Sequence, residues 1–80
     1  MRLELIDPGR NARRYYELRL APSLFGGVAL ARRWGRIGAG GGTERIELYD
    51  TAREAAVAYR RWRRRKRLKG YRRVDRGAAR

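Results

Sequence analysis

Thr51-Ala52-Arg53-Glu54-Ala55-Ala56-Val57-Ala58-Tyr59-Arg60-Arg61-Trp62, running on to Leu68-Lys69-Gly70, is the stretch that decides the architecture. Thr51 and Glu54 have the spacing of a capping box, in which the N-cap hydroxyl and the N3 carboxylate satisfy backbone N–H groups reciprocally. Ala52, Ala55, Tyr59 and Trp62 then fall on one helical stripe. Arg and Lys crowd the last turns, where the helix dipole favours cations. Gly70 is a natural stop, because glycine enters the left-handed conformation that closes a helix. The segment reads as one helix.

Upstream of it the period changes from helical to alternating. Leu3-Glu4-Leu5-Ile6 is a short strand, broken by Asp7-Pro8-Gly9. Arg10 to Arg14 reads as a polar loop containing Asn11. In Tyr15-Tyr16-Glu17-Leu18-Arg19-Leu20, Tyr16, Leu18 and Leu20 alternate with Tyr15, Glu17 and Arg19, as in a half-buried strand. A loop with Pro22, Gly26 and Gly27 leads into Val28–Trp34. Parity there puts Val28, Leu30, Arg32 and Trp34 on one face, an odd mixture for a core. Either the pleat breaks near Arg32 or Trp34 lies at the core margin. Gly38–Gly42 is a flexible connection, and Thr43–Tyr49 alternates as a fourth strand. The expected fold is α+β: a four-stranded antiparallel sheet with one C-terminal helix packed on one face and the other face open. Residues 1–73 are expected to form a single domain, and 74–80 a disordered basic tail.

The chain has 80 residues, 22 Lys+Arg and 8 Asp+Glu, for a net charge of +14. Residues 1–50 hold nine basic and six acidic groups, whereas residues 51–80 hold thirteen and two, a net +11. Such asymmetry points to a polyanion, with nucleic acid foremost. There is no Cys and no His. Disulfides, Cys/His zinc sites and Cys or His catalysis are therefore excluded. Ser23 has no evident base partner, and Asp7, Asp50 and Asp75 sit at turns or in the tail, so no catalytic role is expected. Gly38–Gly42 is not a phosphate loop, because Thr43-Glu44 stands where Lys-Ser/Thr is needed. No cofactor, metal or membrane partner is expected, and the location is read as cytoplasmic.

Two basic motifs remain. Arg60, Arg63, Arg64 and Arg67 share one helix side, with Trp62 and Lys66 turned away, and Lys69 follows near the helix end. Guanidinium groups suit phosphate because they fork to two oxygens. The second motif is Arg32-Arg33-Trp34-Gly35-Arg36-Ile37-Gly38. An indole beside guanidiniums can stack on a base or sugar while Arg meets phosphate. The same indole could instead be a core residue among solvated arginines.

Arg33-Trp34-Gly35-Arg36-Ile37-Gly38 resembles the signature of the WGR domain. Asn11 followed by Arg14-Tyr15-Tyr16-Glu17-Leu18, and Glu54-Ala55 with Tyr59, Lys66 and Lys69-Gly70-Tyr71, are also similar to that family. The likeness spans roughly residues 2–73 and is closest to a bacterial member standing alone. It implies an antiparallel sheet with one packed helix. In poly(ADP-ribose) polymerases this domain binds DNA near breaks and contacts neighbouring domains. The resemblance thus implies a non-catalytic module that contacts DNA ends or breaks. The residues it brings forward are Trp34, Gly35 and Arg36, with Arg32, Arg33, Asn11, Arg13 and Arg14 beside them; the helix cations Arg60, Arg63, Arg64, Arg67 and Lys69 would add phosphate contacts. A protein partner for the same motif, or RNA in place of DNA, is the alternative. Gly41 and Gly42 stand where family members often carry Gly-Gln, so one polar contact is missing.

Overall fold

The structure is a computed structural model, and it describes residues 1–74. Strands β1 (Arg2–Asp7), β2 (Ala12–Pro22), β3 (Val28–Arg36) and β4 (Thr43–Tyr49) are followed by helix α1 (Ala52–Leu68) and a two-residue strand β5 (Arg72–Arg73). All strand pairings are antiparallel, in the order β4-β3-β2-β1-β5. The α+β fold with one helix on one face is thus as expected, but the strand number is corrected from four to five.

The fifth strand arises because Arg72 and Arg73 pair with Glu4 and Leu3, and Val74 donates its N–H to the Arg2 carbonyl at 2.9 Å. Arg72 and Arg73 thus belong to the sheet although they carry no apolar period. Residues 75–80, the rest of the expected tail, lie outside the described residues.

β2 is also longer than the alternation suggested. It starts at Ala12, inside the expected loop, because β1 pairs with it from Asp7↔Ala12 to Arg2↔Glu17. A short 3-10 turn, Pro8–Arg10, joins the two strands. Asn11 closes that turn with φ 53°, a left-handed conformation that Asn tolerates better than most residues.

Helix α1 begins on Thr51, whose hydroxyl accepts the Glu54 N–H at 3.1 Å. Its far end is a Schellman closure: Tyr71 N–H bonds the Lys66 carbonyl and Gly70 N–H bonds that of Arg67, with Gly70 at φ 106°. The closure turns the chain so that β5 can reach β1. Ala55 and Ala58 are buried on the inner helix stripe, while Trp62 and Tyr59 pack half-buried against the core. The small alanines let the helix lie close to the sheet. Leu3, Tyr16, Leu18 and Leu30 supply the large buried side chains below it.

The odd face of β3 is real. Val28, Leu30, Arg32 and Trp34 all point to the helix side, with Leu30 and Arg32 buried and Trp34 half-buried at the margin. The pleat does not break; Arg32 itself enters the core.

Candidate functional site

Arg32 is 6% exposed, and its side chain is the hub of the helix-side face. It donates to the Tyr16 hydroxyl at 3.0 Å and reaches Glu47 at 3.3 Å. Its guanidinium carbon lies 4.0 Å from the Trp62 ring centre and 5.4 Å from that of Trp34. Nε is buried with no hydrogen-bond partner, so the group is held by two nitrogens and by the ring faces. Burial works against its charge, but the bonds to Tyr16 and Glu47 outweigh burial and raise its pKa above the ordinary value. Burial likewise pushes the Tyr16 hydroxyl up, so Tyr16 remains a neutral partner.

The aromatic side chains form a column around this hub. Tyr16 stacks on Trp34 at 5.7 Å between centroids and on Trp62 at 6.3 Å, and meets Tyr71 edge-on at 6.4 Å. Such pairs contribute about 0.5–1.5 kcal/mol beyond burial. Three elements and the turn after α1 supply these rings.

Cations line the outer end of the column. Lys66 Nζ stands 4.6 Å from the Tyr16 ring and 5.6 Å from that of Tyr71, and Arg65 lies over Trp62 at 4.7 Å. Arg14 and Arg36 are opposite one another in the β2–β3 ladder, two residues beyond Tyr16↔Trp34 and on the same side of the sheet. Gly70 approaches Leu5, the β1 partner of Arg14, so the end of the helix lies over this part of the sheet. Burial, followed by the positive charges of Lys69, Arg65, Arg32 and Arg14, holds Lys66 below the usual lysine value. Arg14, Arg36, Lys66 and Lys69 make no ion pair among the described residues. The arrangement is a half-buried indole beside unneutralised cations, as a polyanion site requires.

The Lys66 charge therefore opposes folding. Its folded pKa is below its unfolded one, so the cost is full below the folded value and is relieved as pH rises towards the unfolded value. Lys66→Met, which keeps an aliphatic stem against Tyr16 and Tyr71, is expected to leave the melting temperature unchanged or higher while weakening polyanion binding. Differential scanning calorimetry and a binding titration read the two effects separately; a clear drop in melting temperature contradicts the assignment.

The other sequence-derived candidates are dispersed. Gly35 faces the open side, where an added Cβ would come within 3.2 Å of both Tyr15 and Gly42, so its role is close backbone approach under the Tyr15 ring. Arg33 and Arg13 also face the open side, Arg33 between Glu17 and Glu44 in register and Arg13 opposite Ile6. Asn11 is exposed at the β1–β2 turn. Arg60, Arg64 and Arg67 are exposed on the outer face of α1, with Arg63 half-buried across Tyr59 at 5.9 Å. Lys69 is exposed at the C-cap, on the Lys66 side. Arg32 is packed inside rather than presented to solvent. Lys66 is the residue the sequence reading leaves out, as turned away from the basic helix face. Its i, i+4 spacing from Trp62 is the available signal, since it continues the packing stripe of Ala55, Tyr59 and Trp62 onto Tyr16.

No group of three or more potential metal ligands occurs among the described residues, and no helix there is long and apolar enough to cross a membrane.

Comparison with known proteins accords with this geometry. The family described as WGR domain matches residues 1–78. An uncharacterized protein, y4dW, of Sinorhizobium fredii is 39% identical over 70 residues, covering 88% of this chain and 34% of the relative. The chain thus spans about a third of that relative's length. No solved structure matches the chain. With its Trp34-Gly35-Arg36 signature in β3 and a family match over nearly its full length, the chain belongs to the WGR domain family, a non-catalytic family consistent with nucleic-acid binding.

Proposed function

We propose that the chain is a non-catalytic DNA-binding module that engages duplex ends or breaks. The observation that carries the reading is the half-buried Trp34, stacked on Tyr16, with Lys66 over the same Tyr16 ring and Arg36 and Arg14 two residues further along that face of the sheet, none of these cations in an ion pair among the described residues. In this reading Trp34 lies against the terminal base or sugar, and the bordering cations take the phosphates near it. The exposed Arg60, Arg64 and Arg67 supply sequence-independent attraction along the duplex. An exposed end suits an indole at the margin of the core, because a terminal sugar or base offers a face that an internal stacked pair hides.

Fluorescence anisotropy with a 5′-phosphorylated blunt duplex, a closed hairpin of equal length and a single-stranded RNA tests this reading. Four to six phosphate contacts predict a log–log salt slope of about −4 to −5. The blunt duplex should bind best. Equal affinity for duplex and hairpin removes the end preference, and tighter RNA binding replaces DNA as the ligand.

A further inference from the structure

The other side of the molecule carries a different surface. β4 is an edge strand, so one row of its N–H and C=O groups has no ladder partner. It has neither Pro nor Lys, the usual blunting residues. On the open face its two apolar side chains, Ile46 and Leu48, are 62% and 61% exposed, beside Ala31 and Ala29 of β3 in register. The segment from Thr43 to Asp50 holds Glu44, Glu47 and Asp50 against Arg45, so it is locally acidic in a chain of net +14.

We propose that β4 pairs antiparallel with β4 of a second copy, about a two-fold axis at Ile46. This goes beyond nucleic-acid binding and does not depend on it. The central Arg45-Ile46-Glu47 is self-complementary in that register, and Glu44 lies opposite Leu48 at either end. Ile46 meets Ile46 of the second copy, and each Arg45 meets a Glu47, giving two symmetric ion pairs on the helix side. Within one chain Arg45 lies opposite Arg32, a like-charged neighbour, and makes no ion pair among the described residues. Each copy thus brings a carboxylate contact to the Arg45 of the other, from a Glu47 that also accepts from Arg32 of its own chain. The contact is isologous, so it closes at two copies. The two five-stranded sheets become continuous, with Ile46 and Leu48 forming one apolar stripe across the seam. The arginine-rich outer helix face does not take part.

The chain has no cysteine, which makes the register testable. Under mild oxidation of nuclease-treated protein, Ile46→Cys should form a disulfide-linked dimer at least tenfold faster than Leu48→Cys. Opposed residues in an antiparallel pair are about 4.5–5.5 Å apart, within disulfide reach. The two copies of position 48 would be about 14 Å apart, from four residues at ~3.4 Å each, and cannot be bridged. Both substitutions lie at exposed positions, so folding is preserved. Sedimentation of the unsubstituted chain should show a concentration-dependent dimer. Arg45→Glu, which sets carboxylate against carboxylate twice, should weaken it at least tenfold. A monomer at every concentration up to millimolar overturns the proposal, as does equal cross-linking at positions 46 and 48. Neither result bears on DNA binding, which is measured separately.

Discussion

Arg32→Ala is expected to lower the stability of the fold by about 3 kcal/mol or more, through lost packing of a buried side chain and a lost buried hydrogen bond to Tyr16, with a smaller share from the ion pair because the Glu47 side chain is 38% exposed. The substitution strips the Tyr16 hydroxyl of its donor and Glu47 of its cation, and leaves a void between Trp34 and Trp62. A domain of this size is stable by only about 4–12 kcal/mol, so the loss is a large share. At about 4–8 °C per kcal/mol, the melting temperature should fall by more than about 12 °C. Tyr16→Phe removes only the hydroxyl acceptor and should cost about 1.5–3 kcal/mol, as for one hydrogen bond to a charged group. Calorimetry on both variants gives the comparison. A shift of less than about 2 °C for Arg32→Ala means that the buried guanidinium does not organise the column.

The second large effect concerns binding. Trp34→Ala should weaken affinity for a blunt duplex by about 5- to 150-fold, the worth of one stacking contact at about 1–3 kcal/mol. Trp34 also rests on Tyr16, so the variant will lose some stability; circular dichroism at the assay temperature establishes that it is folded. Arg14→Ala and Arg36→Ala act differently. Each removes a phosphate contact and should reduce the salt slope by about 1, with little effect on stability, since both side chains lie beyond the packed rings. Unchanged affinity in a folded Trp34→Ala variant contradicts the role of the motif.

Local rules explain why much of the fold was legible. Thr51 and Gly70 bound the helix, and each works through backbone geometry within a few residues. Alternation located the four long strands. β5 was not legible, because two arginines have no period; they become a strand only by pairing with Leu3 and Glu4, some seventy residues earlier. In β4 the alternation separates Ile46 and Leu48 from Glu47 and Tyr49 but does not say which set faces the helix. The structure turns Glu47 and Tyr49 inward, because Arg32 needs the carboxylate of Glu47 and Tyr49 packs against the core. The burial of Arg32 was hidden for the same reason: its partners come from β2, β4 and α1. Trp34 was recognisable as a motif residue, whereas Lys66, which stands over the Tyr16 ring, joins that cluster only once the Schellman turn places the helix end over the sheet.

The division of charge along the chain now has a spatial counterpart. On the open face Arg2 is bonded to both Glu4 and Glu17. The outer helix face is a row of exposed arginines. Between helix and sheet, around Trp34, cations stand next to aromatic rings. The proposed function assigns general attraction to the row of arginines and selectivity to the ring cluster.

The most direct measurement is an NMR titration of the 15N-labelled chain with a 5′-phosphorylated blunt duplex. The two tryptophans give two indole N–H signals, one from each side of the Arg32 hub. The account predicts that the largest shifts fall on the Trp34 indole, on the amides of Trp34–Gly38 and Arg14, and on Lys66–Lys69, with smaller shifts along the outer helix face. Shifts confined to the outer helix arginines, with the Trp34 indole unmoved at saturation, would contradict it.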